Sequence, residues 1–247
     1  MVDLARQGDG IIFAHVGGSP EALDDLKAVN TLKDVNEYFH ASTFWRSKQR
    51  SAPHNVFTST SRLRSAFSEN GDRSGFMPIA GRFKEDMPPV TSSRPCFLVT
   101  FGGENGYDVK WCYRDETNDF VRSMNGAVEK TKDGYALTAS QVMIMQTNIE
   151  TIDAVGRKQI KTTGQNQAIL LQDGVFKYIG WEKVSRSAPL SFRDVSKMVK
   201  DGAGEPVLLR PGAVWVEVVD SSWPVLWYPD DAYHDQGTAL DITVYSQ

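Results

Sequence analysis

"CFLVTFGGENGYDVKWCY" (residues 96–113) sets two alternating apolar runs on either side of a glycine-rich turn, the pattern of a β-hairpin. Centring the turn on Glu104 pairs Phe97 with Trp111, Val99 with Val109 and Phe101 with Tyr107. All three pairs are apolar, so one face of the hairpin is expected to lie on a core. The same register sets Cys96 directly opposite Cys112, on the other face with Leu98 and Lys110. Opposed Cβ atoms in an antiparallel pair lie about 4.5–5.5 Å apart, close to disulfide reach. Cys96 and Cys112 either form a bridge, which an oxidising compartment permits, or stand as two neighbouring thiols.

The strand pattern continues downstream. "DFVRSM" (119–124) follows the turn "RDETN", and "SQVMIMQTNIETI" (140–152) is a longer strand. "NQAILLQDGVFKYIGWEKV" (166–184) reads as two strands around "QDG", and "PVLLRPGAVWVEVV" (206–219) as two more around "RPG". No long amphipathic helix lies between them. Residues 91–220 are therefore expected to form an antiparallel β-domain, sandwich-like or barrel-like, with 221–247 as an irregular, aromatic tail.

Upstream the character changes. Residues 68–95 are rich in Gly, Pro, Ser and charge and read as a linker, which puts the domain boundary near residue 90. "GIIFAHV" (10–16) has the length and continuity of a buried strand. "GGS" follows, and then "PEALDDLKAV" (20–29), with Ser19 as N-cap, Pro20 at the first helical position and Glu21 at the positive end of the dipole. That is half of a βαβ unit with no strand before it. "RSAPHNVFTSTSRL" (50–63) reads as an X-Pro turn, a short strand and a cap leading into a helix. The expected fold class is α+β: a partial α/β domain over residues 1–90, then the β-rich domain.

Bulk properties narrow the function classes. Forty per cent hydrophobic and 23% charged residues in a chain of 247 are ordinary for a globular protein. A net charge of −4 argues against general nucleic-acid binding. No apolar run has the length of a membrane span, and "MVDLARQGDG" at the start lacks the pattern of a secretory signal. The four histidines, His15, His40, His54 and His234, are far apart and no ligand spacing links them or the cysteines, so no metal is expected. Neither a dinucleotide fingerprint nor a P-loop is present, so no cofactor is expected.

Two stretches carry candidate site residues. At the end of the first strand, His15 stands beside Gly17, Gly18 and Ser19, where backbone N–H groups at a helix start could face an anion or a carbohydrate. The plainer alternative is a turn and a cap. "APHN" (52–55) supplies His54 and Asn55, and "FWRSKQR" (44–50) places Arg46, Lys48 and Arg50 at alternating positions beside Trp45. If extended, those three cations share one face and suit an anionic polymer, with Trp45 available for stacking; a solvated charged edge is the alternative. The turn at 17–19 and the segment 50–55 are expected to converge at the carboxyl edge of the α/β layer. Ser19 with His54 would suit nucleophilic hydrolysis, although no G-x-S-x-G elbow surrounds Ser19.

Four blocks, "AHVGGSPEAL" (14–23), "RSAPHNVFTST" (50–60), "YDVKWCYRDETNDFVRSMNG" (107–126) and "GWEKVSRSAPLSFRD…VLLRPGAVWVEVV" (180–219), together resemble the YerB-like family of bacterial lipoproteins, a two-domain family of unknown function. The resemblance implies an extracytoplasmic protein anchored by lipid on an N-terminal cysteine, a role for which Cys96 and Cys112 lie too deep in the chain. It also implies that this sequence opens inside the family's first domain, as a truncated member or from an internal start. The expected function is a non-catalytic binding or scaffold module for an envelope polymer or a membrane-bound partner. A wall hydrolase or transferase using Ser19 and His54 is the first alternative, and a purely structural scaffold the second.

Overall fold

The computed structural model describes residues 11–28, 32–68, 79–80, 82–85, 94–101, 107–186, 188–198, 204–229 and 238–239. The chain divides into two compact units, one of residues 1–79 with 185–190 and the other of residues 80–184 with 191–247. Strands dominate, and the described residues include two α-helices.

In the first unit, β1 (Ile11–His15) and β2 (Leu32–Asn36) pair in parallel, from Ile11 opposite Leu32 to His15 opposite Asn36. Between them runs α1 (Pro20–Lys27), which starts as its sequence dictates, with the Ser19 side chain accepting the Ala22 N–H at 3.3 Å and Pro20 in the first turn. Gly17 supplies the left-handed conformation, φ +67°, that turns the chain out of β1. The half unit is thus completed downstream, by a strand that sequence patterning did not predict. Lys33 and Asp34 interrupt the apolar pattern of "LKDVN", although Val35 is fully buried. The chain then makes β3 (Trp45–Arg46), antiparallel to β4 (Val56–Phe57), and α2 (Thr60–Ser68), with Ser59 Oγ accepting the Arg62 N–H. "FWRSKQR" is extended only at Trp45–Arg46 and turns at 48–50. Arg46, Lys48 and Arg50 therefore do not share one strand face, a correction to the alternating pattern.

The second unit contains β5 (Arg82–Phe83), β6 (Cys96–Val99), β7 (Val109–Arg114), β8 (Asp119–Met124), β9 (Gln141–Thr147), β10 (Gly164–Gln172), β11 (Val175–Lys183), β12 (Leu190–Met198), β13 (Gly204–Pro206), β14 (Leu208–Leu209), β15 (Val214–Asp220) and β16 (Val225–Tyr228). One sheet runs in the order β8-β7-β6-β16 and the other β13-β12-β11-β10-β9-β15. They pack face to face. Phe97, Val99, Trp111, Tyr113 and Phe120 of the first sheet meet Val142, Ile144, Ile169, Leu171 and Val219 of the second in one buried cluster. These residues recur at every second position along their strands, as one covered face requires. Each large aromatic removed from water there contributes about 1.5–3 kcal/mol.

The β6–β7 ladder pairs Cys96 with Cys112, Phe97 with Trp111, Leu98 with Lys110 and Val99 with Val109. It ends before Phe101 and Tyr107, and the turn residues 102–106 lie outside the described set. Cys96 and Cys112 are joined by a disulfide across it. At the end of β10, Asp173 (φ 55°) and Gly174 (φ 74°) both take positive φ, so β10 and β11 meet in a two-residue hairpin turn.

Two expectations for this unit are corrected. The domain is not wholly antiparallel: β15 lies parallel to β9 from Val214 opposite Gln141 to Asp220 opposite Thr147, and β14 lies parallel to β5. The strands around "RPG" therefore part instead of forming a hairpin. Gln141 holds the divergence point, its Oε1 accepting the Arg210 backbone N–H and its Nε2 donating to Arg210 O, each at 2.9 Å. The tail after residue 221 is also not irregular throughout. β16 pairs with β6, with Val225 opposite Val99 and Trp227 opposite Phe97, because its alternating side chains complete the same apolar face.

Candidate functional site

The paired ends of β1 and β2 bring three of the predicted side chains of the first unit, His15, Arg46 and Asn55, into one hydrogen-bonded system. The His15 carbonyl accepts the Glu37 N–H at 2.9 Å. The His15 ring faces Gly17 O through Nδ1 and Asp34 Oδ1 through Nε2, each at 2.6 Å. Both ring nitrogens are thus engaged by backbone and carboxylate oxygens. Glu37 holds Arg46 in a two-pronged pair, with Nε to Oε1 at 3.1 Å and a terminal nitrogen to Oε2 at 3.0 Å. The other terminal nitrogen of Arg46 donates to Asn55 Oδ1 at 3.1 Å. His15, Arg46 and Asn55 are thereby linked through Glu37.

Apart from the Gly17 carbonyl, the remaining predicted residues stand outside that system. Ser19 serves as the helix cap, and Gly17 and Gly18 form the turn before it. His54 is exposed and has no hydrogen-bond partner among the described residues. Ser19 and His54 share no hydrogen bond, so no nucleophile–base pair is assembled there. No group of three or more His, Cys, Asp or Glu side chains suited to a metal occurs among the described residues.

Beside this system stands a feature that motif reading missed. Trp45 and Phe57, register partners across β3 and β4, stack with ring centroids 6.0 Å apart and planes 23° from parallel. The Arg62 guanidinium lies 5.0 Å from the Trp45 centroid and the Arg50 guanidinium 5.6 Å from that of Phe57. The four side chains form a ladder with a cation at each end. Arg62 is held in place by donating to Ser42 O at 3.0 Å and Phe44 O at 2.9 Å. Trp45 and Phe57 remain 42% and 36% exposed, and Tyr38 and Phe39 nearby in sequence are 82% and 77% exposed.

Residues 38–68 contain Arg46, Lys48, Arg50, Arg62 and Arg64 and no Asp or Glu, in a chain whose net charge is −4. Arg46 is neutralised by Glu37, whereas Lys48, Arg50 and Arg64 have no ion-pair partner among the described residues. This segregation of charge is readable in the sequence. The part taken by Arg62 is not, because a helix residue reaches Trp45 only through the tertiary fold.

The second unit has a buried polar cluster of a different kind. Trp111 Nε1 donates to Glu217 Oε1 at 3.1 Å, and Arg122 Nε faces the same oxygen at 3.6 Å. Arg122 also pairs with Glu129 and lies over the rings of Trp111, at 5.9 Å, and Trp215, at 5.0 Å. Burial pushes the Glu217 carboxyl above the usual range, partly opposed by the Trp111 hydrogen bond and by Arg122. This cluster lies between the two sheets and reads as an internal brace.

Comparison with known proteins follows the same two parts. Residues 1–74 match the model described as "Protein of unknown function (DUF3048) N-terminal domain", and residues 98–216 match its C-terminal domain. A Bacillus subtilis (strain 168) protein described as "Putative lipoprotein YerB" is 26% identical over 215 residues, covering 84% of this chain. The chain spans 60% of the length of that curated relative. The crystal structure of the YerB protein from Bacillus subtilis superposes with a TM-score of 0.71 at 23% identity, over 88% of this chain and 70% of that one, a likeness of fold. No described helix is long and apolar enough to cross a membrane. With both domain models matched in order along its length, the chain belongs to the DUF3048 family of YerB-like proteins.

Proposed function

We propose that the first unit is a non-catalytic binding module for an anionic polymer of the bacterial envelope. The observation that carries this reading is the exposed Arg62–Trp45–Phe57–Arg50 ladder within a segment that has no acidic residue. Unpaired cations spaced along a surface attract a repeating anion, and the flanking aromatic edges suit sugar rings. The description of the relative as a lipoprotein supports an extracytoplasmic setting at the membrane face. The Cys96–Cys112 bridge supports it as well, because such bridges persist where the compartment is oxidising. The parallel β1–α1–β2 unit supports reading the first unit as part of an α/β domain.

The binding reading draws further support from Ser19 serving as a cap and from His15 having both ring nitrogens engaged, which leaves the hydrolase alternative with less to rest on. Sedimentation with cell-wall sacculi tests the proposal. The chain is expected to co-sediment with native sacculi and to be released by salt of ~0.5 M, where charges are screened within a few ångströms. Replacing Lys48, Arg50 and Arg64 together by Ala is expected to weaken retention about tenfold or more. Equal retention by sacculi stripped of anionic polymer, or by the triple variant, would overturn the reading.

A further inference from the structure

The sheet built on β10 and β11 has a second face. Ile169, Leu171, Phe176 and Tyr178 turn toward the sandwich core, so Leu170, Gln172, Lys177 and Ile179 stand on the opposite side. Leu170 and Lys177 are register partners there. Together they form the floor of a cavity of about 430 Å3, within the size range of small-molecule sites.

One wall is the short parallel ladder of β5 and β14, which sets Arg82 opposite Leu208. Gln172 Nε2 donates to Leu208 O at 3.1 Å, tying this wall to the floor, and within the wall the Lys84 N–H donates to Leu209 O at 2.8 Å. Leu170, Ile179 and Val207 give the cavity a buried apolar lining. Arg82, Lys84 and Lys177 bring three cations to it. Lys84 is paired with Asp173, and the two acids of the lining, Asp194 and Glu205, have partners of their own. Arg82 and Lys177 have none among the described residues.

We propose that this cavity binds a small organic anion, a carboxylate or phosphate ester with an apolar body, its head group on Arg82 and Lys177 and its body against Leu170, Ile179 and Val207. An arginine fork and a lysine at the rim match a compact oxyanion, and the apolar floor favours a ligand that brings carbon as well as charge. The site shares no residue with the aromatic ladder, so it stands or falls independently of polymer binding.

Octyl phosphate is the probe, titrated into the full chain carrying 13C-labelled Ile, Leu and Val methyl groups and followed by NMR. Saturable shifts are expected at the methyls of Leu170, Ile179 and Val207. Arg82→Ala with Lys177→Ala is expected to weaken binding about tenfold or more, because charge-assisted contacts are lost. Both side chains are exposed, so thermal unfolding of this variant should match that of the parent. Binding by the Lys48/Arg50/Arg64 triple-alanine variant should be unchanged. Vesicles containing phosphatidylglycerol that compete with octyl phosphate would identify a lipid as the source of the anion, and vesicles without effect a soluble one. Absent saturation, equal affinity for neutral octanol, or undiminished binding by the double variant would each overturn the site.

Discussion

Arg122 shows how a charge is kept inside a β-sandwich. Its guanidinium lies over the rings of Trp111 and Trp215 and has Glu129 and Glu217 as counter-charges. Glu217 bears the cost of that arrangement, since burial favours its neutral form. A carboxyl whose folded pKa lies above its unfolded value contributes most to stability below the unfolded value, and that contribution is lost as pH rises through the folded one. A glutamine amide has no such proton to lose, so Glu217→Gln should lack this loss. Thermal melts of the two proteins, taken from pH 4 upward, are expected to show the variant gaining on the parent as pH rises past the ordinary glutamate range. A difference that stays flat with pH would mean that Glu217 titrates alike in the folded and unfolded chains. His15 makes the contrasting case: it stands where a catalytic base would be sought, but Gly17 O and Asp34 engage both of its nitrogens.

The hairpin of β6 and β7 is the element whose covalent and non-covalent ties coincide. Its ladder places Cys96 opposite Cys112, with their Cα atoms 4.1 Å apart, and the bridge joins positions 16 residues apart in sequence. A closed loop of about 15 residues restricts the unfolded chain by roughly 3 kcal/mol in the chain-entropy description. Replacing both cysteines by Ala is expected to lower the unfolding free energy by about that amount in a denaturant titration. The ladder itself is expected to survive, since Phe97, Val99, Val109 and Trp111 are buried in the core. A loss below ~1 kcal/mol would show that the unfolded chain already keeps the two strands together. Elements without such local ties were harder to foresee. β2 carries two charged residues in its five, and β16 finds its partner β6 more than a hundred residues upstream.

At the scale of the whole molecule, the chain crosses between its units more than once, because residues 185–190 belong with the first unit although they follow β11 of the second. Arg186 of that segment forms a two-pronged pair with Asp25 of α1, with the longer contact at 3.0 Å. A fragment ending at residue 79 would lack the segment. Amide exchange in α1 is expected to be faster in the 1–79 fragment than in the full chain, and equal protection would show that the segment adds nothing to the first unit. Local chemistry carried the predictions that hold residue by residue: the register of Phe97–Trp111 and Val99–Val109, the Ser19 cap and the paired cysteines. Each depends on residues within one turn or one hairpin, where alternation and capping leave few alternatives. The parallel seating of β15 on β9 and the strand made from the aromatic tail depend on segments far apart in sequence, and the Arg62–Trp45 contact joins a helix to a strand that no shared turn or hairpin links. Short apolar strands are nearly interchangeable by pattern alone, so their partners are chosen by which face the folded core leaves uncovered.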